Sequence, residues 1–182
     1  MNRINFLAAS LLLTLAACTT ETLDGGSTGD TKGAGTGADI ADTPVFGTIA
    51  SQPFEPKTIE IYFSERSGKW LLSMDNYEGD CGSIKNRPPS EESMTVNVIG
   101  LDPAAGSIPI APGVTRYATL QLGVYMAAEG KEPDARNAQS GTVVLDNWDE
   151  TAGAEITGKL KLVADEESSV EGTFTAKVCP AR

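Results

Sequence analysis

The chain contains no histidine and 25 acids, so most of the side chains that could do chemistry are carboxylates. Without histidine, a Ser-His-Asp triad, a Cys-His pair and the common zinc sites are all excluded. Catalysis would have to use carboxylates, a Ser-Lys pair or a tyrosine. The acids, by their spacing and their neighbours, are therefore the first candidates for a site.

Two groups of acids are close enough in sequence to act together. The group between Asp75 and Asp80 could give oxygens to a cation, but it lacks the spacing and the final Glu of a calcium loop. The second group, Asp146, Asp149 and Glu150, surrounds a tryptophan, as acids do in sites that cleave or bind sugars. Acids in such positions more often form or cap solvated turns. We therefore predict turns at both places, with no enzyme activity, no metal and no cofactor.

Two glycine-rich segments have the spacing of nucleotide-binding motifs, and we interpret both otherwise. Gly33–Ala38 fits the loose dinucleotide fingerprint, but no strand precedes it and no helix follows it. Gly153–Lys159 has the spacing of a P-loop, but Leu160 stands where Ser or Thr would bind magnesium. The first segment is predicted to be linker and the second to be turn and strand.

The N-terminus has the build of a secretory signal peptide. A short basic region with Arg3 precedes an apolar run from Phe6 to Leu15. This run is too short to cross a hydrocarbon core of about 30 Å. It ends in Leu-Ala-Ala-Cys at residues 15–18, which resembles the lipobox of bacterial lipoproteins.

This resemblance implies that residues 1–17 are removed and that Cys18 carries lipid. In the lipoprotein family an Asp after the cysteine usually retains the protein in the inner membrane, so Thr19 predicts the outer membrane of a Gram-negative cell. Two or three acyl chains would hold the protein almost permanently. The alternative is an ordinary cleavage site in which Cys18 is a chance cysteine.

The charge of the chain limits its partners. Its 182 residues include 25 acids and 14 bases, and removal of residues 1–17 changes the net charge from -11 to -12 because Arg3 is lost. Such a charge repels nucleic acid and anionic lipid head groups. The predicted partners are the membrane, through the lipid anchor, and an envelope protein, with no nucleic acid.

Cys81 and Cys179 are the cysteines that remain after lipidation of Cys18. In an oxidising envelope, two thiols in one small domain are predicted to form a disulfide. Closing a loop of about 100 residues contributes about 4 to 5 kcal/mol in the chain-entropy model. A redox or metal pair is the alternative, but neither a Cys-x-x-Cys motif nor a histidine supports it.

The composition of the mature chain changes at about residue 42. Residues 18–42 are rich in Gly, Thr and Asp, so a lipidated N-terminus followed by a flexible tether is predicted there. From residue 43 to 182, apolar and polar residues alternate with a period of two, as around Ile59, Ile61 and Phe63. Seven to eight such stretches predict an all-β domain, a single small antiparallel β-sandwich or barrel.

The C-terminal third repeats one pattern at residues 156–163 and 170–178, which predicts a hairpin. Gly158 and Gly172 lie on the core-facing parity, where a missing side chain lets a ring or another backbone come close. The ending Gly172–Cys179, after the Ser-Gly-Thr-Val of residues 140–143, resembles small uncharacterised lipoproteins of Gram-negative bacteria, including myxobacteria. The resemblance spans about the last third of the chain and implies no activity.

Five aromatic residues are candidates for the predicted binding surface: Trp70, Tyr77, Tyr117, Tyr125 and Trp148. The two tyrosines share the polar parity of their strand, so both rings are expected on one exposed sheet face, where they could anchor a protein or a sugar. The alternative is that a second layer or a loop covers them. A protein-interaction or structural module is the preferred function, a glycan or small-ligand binding module is the alternative, and a carboxylate-based hydrolase comes last.

Overall fold

Strands make up nearly all the regular structure of residues 39–85, 88–102, 106–112, 115–123 and 132–182, the parts of the chain that this computed structural model describes. The predicted signal peptide, the predicted lipidation site Cys18, most of the predicted tether and Tyr125 lie outside these ranges. Ile40, which the composition assigns to the tether, is buried. Among the described residues, no helix has the length and apolar character needed to cross a membrane.

The all-β prediction is confirmed, since the described residues form thirteen strands and one short 3-10 turn at Ser90–Glu92. The strands, in chain order, are β1 Phe46–Ile49, β2 Gln52–Phe54, β3 Thr58–Ser64, β4 Lys69–Asp75, β5 Gly79–Asp80, β6 Ser83–Ile84, β7 Met94–Leu101, β8 Gly106–Ile110, β9 Tyr117–Leu122, β10 Asp134–Asn137, β11 Ser140–Leu145, β12 Glu155–Asp165 and β13 Ser168–Val178.

Eleven of these strands form one sheet in the order β10-β9-β7-β4-β3-β13-β12-β11-β8, with β1 paired to β13 and β2 paired to β1. The remaining two, β5 and β6, form a separate hairpin. Neighbours are antiparallel except β3 and β13, which run parallel where Glu60 lies opposite Lys177 and Ile61 opposite Val178. The predicted count of seven to eight strands and the purely antiparallel sheet are therefore wrong.

The strands that were missed are short and lie at edges or in separate hairpins. β8 and β10 lie at the two ends of the strand order, and each has only four or five residues. Such lengths give too little alternation to stand out from a loop. β8 also contains Pro109, which edge strands tolerate because one side of the strand has no ladder to complete.

The sheet curls into a half-barrel because one stretch of chain changes partners. Ala138 and Gln139 separate β10 from β11. The amide of Ala138 donates to the Ala118 carbonyl in β9 at 2.8 Å, and the amide of Gln139 donates to the Val163 carbonyl in β12 at 2.8 Å. These two residues thus link β9 and β12, which are far apart in the strand order.

Arg136, in β10, ties this crossing to the turn between β12 and β13. Its guanidinium lies 3.0 Å from Asp134, 2.9 Å from Asp165 and 3.1 Å from Glu167. Hydrogen bonds to these carboxylates, that to Asp134 first, raise the pKa of Arg136. The cation is thus held by acids from both sides of the curl.

The apolar core fills the inside of the curl. Ile61, Leu72, Val98 and Ala118 lie side by side across β3, β4, β7 and β9, and each is 0% exposed. Further strands add buried residues to the same cluster, among them Ile156, Leu160, Leu162, Val170 and Ala176. Burial of this set removes its apolar side chains from water, which is the main source of the stability of the domain.

The two glycines predicted to allow close approach do so. A Cβ atom on Gly158 would lie 2.9 Å from the Phe174 ring and 2.3 Å from the Val144 carbonyl oxygen. One on Gly172 would lie 2.6 Å from the Thr43 carbonyl oxygen. Within the β12–β13 hairpin, the ring of Phe174 therefore packs on Gly158, while the N-terminal segment before β1 packs on Gly172.

Candidate functional site

The outer face of β3, β4, β7 and β9, on the other side of these strands from the core, carries a polar groove. Its cavity has a volume of about 280 Å³. The residues that line it are Thr58, Glu60, Tyr62, Ser73, Asp75, Tyr77, Gly79, Gly82, Ser83, Thr95, Asn97, Gln121 and Arg182. We refer to this cavity as the outer groove.

Strand register places the outward side chains of these four strands in three rows. The first polar row is Glu60, Ser73, Asn97 and Thr119, and the second is Thr58, Asp75, Thr95 and Gln121. The third row is apolar and aromatic, formed by Tyr62, Leu71, Ile99 and Tyr117, all half-buried. The face is thus polar over the groove and apolar along one side, because neighbours in register point the same way.

The β5–β6 hairpin contributes one wall of the groove. Cys81 and Gly82 form its two-residue turn, with φ angles of 48° and 85°. Two positive φ values are what a tight type I′ hairpin turn requires, and glycine adopts them without steric cost. Cys81 is bonded to Cys179, 98 residues later, so the predicted disulfide is confirmed and links this hairpin to the end of β13.

Glu60 is a buried acid at the base of the groove, with 5% of its surface exposed. It accepts hydrogen bonds from the Cys81 amide and, at 2.8 Å, from the Arg182 guanidinium. The same guanidinium lies 3.8 Å from the centre of the Tyr62 ring. Burial raises the pKa of Tyr62, although the nearby Arg182 opposes the shift. Glu60 is therefore a paired, hydrogen-bonded structural acid.

Two polar side chains of the groove are open to a ligand. Ser73 is only 8% exposed, and neither its hydroxyl nor the side-chain amide of Asn97 hydrogen-bonds to another described residue. No described side-chain nitrogen or oxygen that is sealed from solvent lacks a partner, so the Ser73 hydroxyl must be reached from the groove. By contrast, the Thr95 hydroxyl donates to Asp75 at 2.7 Å.

An ion pair on the surface connects the hairpin to β13. The ammonium group of Lys177 lies 2.7 Å from an Asp80 oxygen. The hydrogen bond from Lys177 lowers the pKa of Asp80, and the same bond raises the pKa of Lys177. Both groups are exposed, so water weakens their attraction.

The predicted aromatic surface is divided between two places. Trp70 and Trp148 are half-buried and contact each other at the edge of the core, with ring centroids 5.2 Å apart. Tyr117 lies instead on the outer face, in the apolar row beside the groove. Tyr125 lies outside the described residues. Of the predicted set, Tyr77 lines the groove, while Tyr117 lies on the same face without lining it.

The acids beside Trp148 form hydrogen bonds within the turn that contains them. Asp149 accepts a hydrogen bond from the Thr151 amide at 2.8 Å, and this bond lowers its pKa. Glu150 accepts from the Trp148 indole at 3.2 Å. Asp146 lines a separate cavity of about 540 Å³, with Asp42 as the other acid among its lining residues. These carboxylates do not converge in one cleft.

Glu60 also lies close to both disulfide sulfurs, with its oxygen and the two sulfur atoms within 4.8 Å of one another. Metal binding by cysteine requires the thiolate, which the disulfide removes. The bond from the Cys81 amide shows what Glu60 does here: it fixes the hairpin turn.

The groove itself was missed at the level of sequence. Its residues were visible as the polar half of alternating strands, for example Thr95 and Asn97 between Met94, Val96 and Val98. Alternation predicts that such residues face away from the core, but it does not say which strands are neighbours. The sequence prediction favoured aromatic residues instead, because a large aromatic side chain can anchor a partner wherever it lies on a surface.

Comparison with known proteins gives no match to this chain among protein-family models, curated proteins or solved structures. The arrangement of the outer groove is therefore the basis for a functional proposal.

Proposed function

We propose that this chain is a lipid-anchored protein of the bacterial cell envelope, in the outer membrane, whose β-domain is a non-catalytic interaction module. In this proposal the domain binds an envelope partner through the outer face of β3, β4, β7 and β9. The lipobox resemblance at Cys18 supports the anchor, and the outer groove supports the binding role.

The observation that carries the binding role is the pairing of a polar groove with an apolar row on one rigid face. Tyr62 lines the groove, and Tyr117 lies at the other end of the same row, on β9. Aromatic anchors beside polar groups are typical of recognition surfaces. The disulfide and the Glu60–Arg182 bond fix one wall of the groove, so little ordering would be needed on binding.

The non-catalytic character is supported by how the carboxylates of the groove are used. Glu60 is held by Arg182 and the Cys81 amide, and Asp75 accepts a hydrogen bond from Thr95. A general base needs a free lone pair directed at the substrate. Positioned acids of this kind orient a ligand or the protein itself.

The binding role is tested by capture from envelope extract with the mature, lipidated protein. Asn97→Arg places a long cation in the groove and should abolish capture. Gln52→Arg places the same cation at an exposed site on β2, a strand that pairs only with β1, and should leave capture intact. Equal capture by both variants would show that the outer face is not the binding site.

The anchor is tested separately by Cys18→Ala in the full chain. This change should stop incorporation of labelled palmitate and leave the precursor uncut. Palmitate incorporation into the variant equal to that of the natural chain would contradict the proposed lipidation of Cys18.

A further inference from the structure

A second cavity lies where β4 begins, at Lys69 and Trp70, and we refer to it as the Trp70 cavity. Its volume is about 350 Å³, within the range of about 300–1,000 Å³ for small-molecule sites. The lining residues used below are Phe63, Lys69, Trp70, Leu101, Asp102 and Arg116. None of them lines the outer groove, so this site is independent of the proposed binding face.

The floor of the Trp70 cavity continues the apolar core. Phe63 lies opposite Trp70 in the register of β3 and β4, and Trp70 lies opposite Leu101 in that of β4 and β7. Leu101 is buried in the core and Trp70 packs against it, but both rings are only half-buried. The Phe63 and Trp70 rings meet edge to face, with centroids 5.6 Å apart. Because aromatic pairs gain more than their buried area alone provides, a flat aromatic group suits this floor.

Two cations line the same cavity. The ammonium group of Lys69 donates to the Thr115 carbonyl at 3.1 Å, and the guanidinium of the next residue, Arg116, lies 2.6 Å from the Asp102 carboxylate. Gly100, with a φ of 85°, permits this arrangement, since a Cβ atom there would lie 2.5 Å from the Thr115 carbonyl oxygen. An ammonium group has three N–H donors, so Lys69 keeps two for a ligand.

The lining of the cavity carries one excess positive charge. Asp102 neutralises Arg116, whereas Lys69 pairs with no acid among the described residues. Residues 103–105 and 113–114, beside this wall in sequence, contain no charged residue. The acidic balance of the whole chain opposes an anion only weakly here, because physiological salt largely screens charges more than about 8 Å apart. A ligand with a single negative charge therefore matches the lining.

We propose that the Trp70 cavity binds a small aromatic carboxylate, with its ring on Phe63 and Trp70 and its carboxylate on Lys69. Hydrogen bonds between an ammonium group and a carboxylate are roughly twice as strong as neutral ones. A neutral aromatic molecule keeps only the ring contact, and acetate keeps only the charged contact. A phosphate monoester brings a second negative charge that the lining does not match.

The test uses the full chain as purified from cells in an uncharged detergent, labelled with nitrogen-15. The chain has two tryptophans, so its NMR spectrum contains two indole N–H signals, which Trp148→Phe assigns. The probes are phenylacetate, phenylacetamide, which has the same shape without the charge, and acetate, which lacks the ring. Phenylacetate should shift the Trp70 signal saturably, with a Kd of about 1–10 mM. The other two probes should bind at least ~5-fold more weakly.

Variants that change only the charge of the lining should act in opposite directions. Lys69→Gln should weaken phenylacetate at least ~5-fold, because the excess positive charge is lost. Asp102→Asn leaves Arg116 without its acid and should tighten phenylacetate about 2- to 3-fold, the size expected for exposed charges about 6 Å apart. The affinity for phenylacetamide should stay the same in both variants. Lys57→Gln, at an exposed lysine before β3, is the matched control and should leave phenylacetate binding unchanged.

Several results would overturn the inference. One is the lack of a saturable shift of the Trp70 signal with phenylacetate at up to about 50 mM, well above the expected Kd. Another is phenylacetamide binding as tightly as phenylacetate. Equal effects of Lys69→Gln and Lys57→Gln, or weaker phenylacetate binding in Asp102→Asn, would also do so. The first two results come from the natural chain, so they hold whether or not a variant folds, and none of the four bears on the outer face.

Discussion

The disulfide between Cys81 and Cys179 joins the β5–β6 turn to the residue that follows β13. The bond closes a loop of 98 residues that includes most of the sheet. The amide of Cys179 also donates to the Ile61 carbonyl at 2.8 Å, which continues the pairing of β13 with β3. One covalent bond thus fixes both a wall of the outer groove and the parallel pairing of β3 with β13 in the middle of the sheet.

Removal of this disulfide should therefore cost both stability and binding. Cys81→Ser combined with Cys179→Ser frees a loop of this length in the unfolded state, which lowers the free energy of unfolding by about 4 kcal/mol. Urea denaturation of the oxidised natural protein and the double variant measures the difference. An unchanged urea midpoint would contradict the assigned role, and natural protein treated with reductant should behave like the variant.

The parity of β4 predicts opposite results for two adjacent leucines. Leu72 is 0% exposed inside the curl, so Leu72→Ala should destabilise the domain by about 2–5 kcal/mol. Leu71 is half-buried on the outer face, so Leu71→Ala should cost about 1 kcal/mol or less while weakening envelope capture. Chemical denaturation and capture assays give both values. Similar losses of stability would show that the register of β4 is wrong.

The turn between β1 and β2 offers a stabilising change. Ala50 and Ser51 have φ angles of 50° and 63°, a region that costs a residue with a Cβ atom about 1 kcal/mol. Ser51→Gly relieves this strain and keeps the amide that donates to Glu167, so the domain should gain up to about 1 kcal/mol. Ser67→Gly, in an exposed turn without positive φ at that residue, should give no gain in thermal denaturation.

The Asp80–Lys177 pair should make stability depend on acid pH. The ordinary pKa of the aspartate is 3.8, and the hydrogen bond from Lys177 lowers it in the folded state. A lowered folded pKa gives stability that is present above about pH 4 and lost as the pH falls through the folded value. Asp80→Asn should therefore reduce stability at pH 6 and have less effect at pH 2. Lys177→Gln should give the same profile, and an effect of Asp80→Asn that grows on acidification would contradict the pairing.

The longest strands were the most predictable part of the fold. The repeated pattern of residues 156–163 and 170–178 gave the β12–β13 hairpin and the packing of Gly158, since alternation over eight or more residues leaves little ambiguity. The disulfide was predictable because the proposed lipidation of Cys18 leaves two cysteines, and two cysteines have one possible pairing. Short edge strands such as β10 could not be predicted, because tertiary contacts, rather than the local sequence pattern, hold them in a strand conformation.

The outer groove could not be predicted, because it depends on which strands are neighbours in the sheet. The sequence alone does not give that strand order. Ser73 and Asn97 are 24 residues apart and become adjacent through the β4–β7 register. Glu60 is placed by Arg182, 122 residues later. Polar parity showed that such residues face outward, but the groove needed the pairing of four strands and the hairpin beside them.

Photocrosslinking in intact cells tests the proposed binding face most directly. A photoreactive residue replaces either Asn97 in the groove or Lys161, which is exposed on β12, in the full-length chain. After illumination, the position-97 protein should carry a discrete adduct of higher mass that the position-161 protein lacks. Equal adducts at both positions, or an adduct at position 161 alone, would contradict binding through the outer face of β3, β4, β7 and β9.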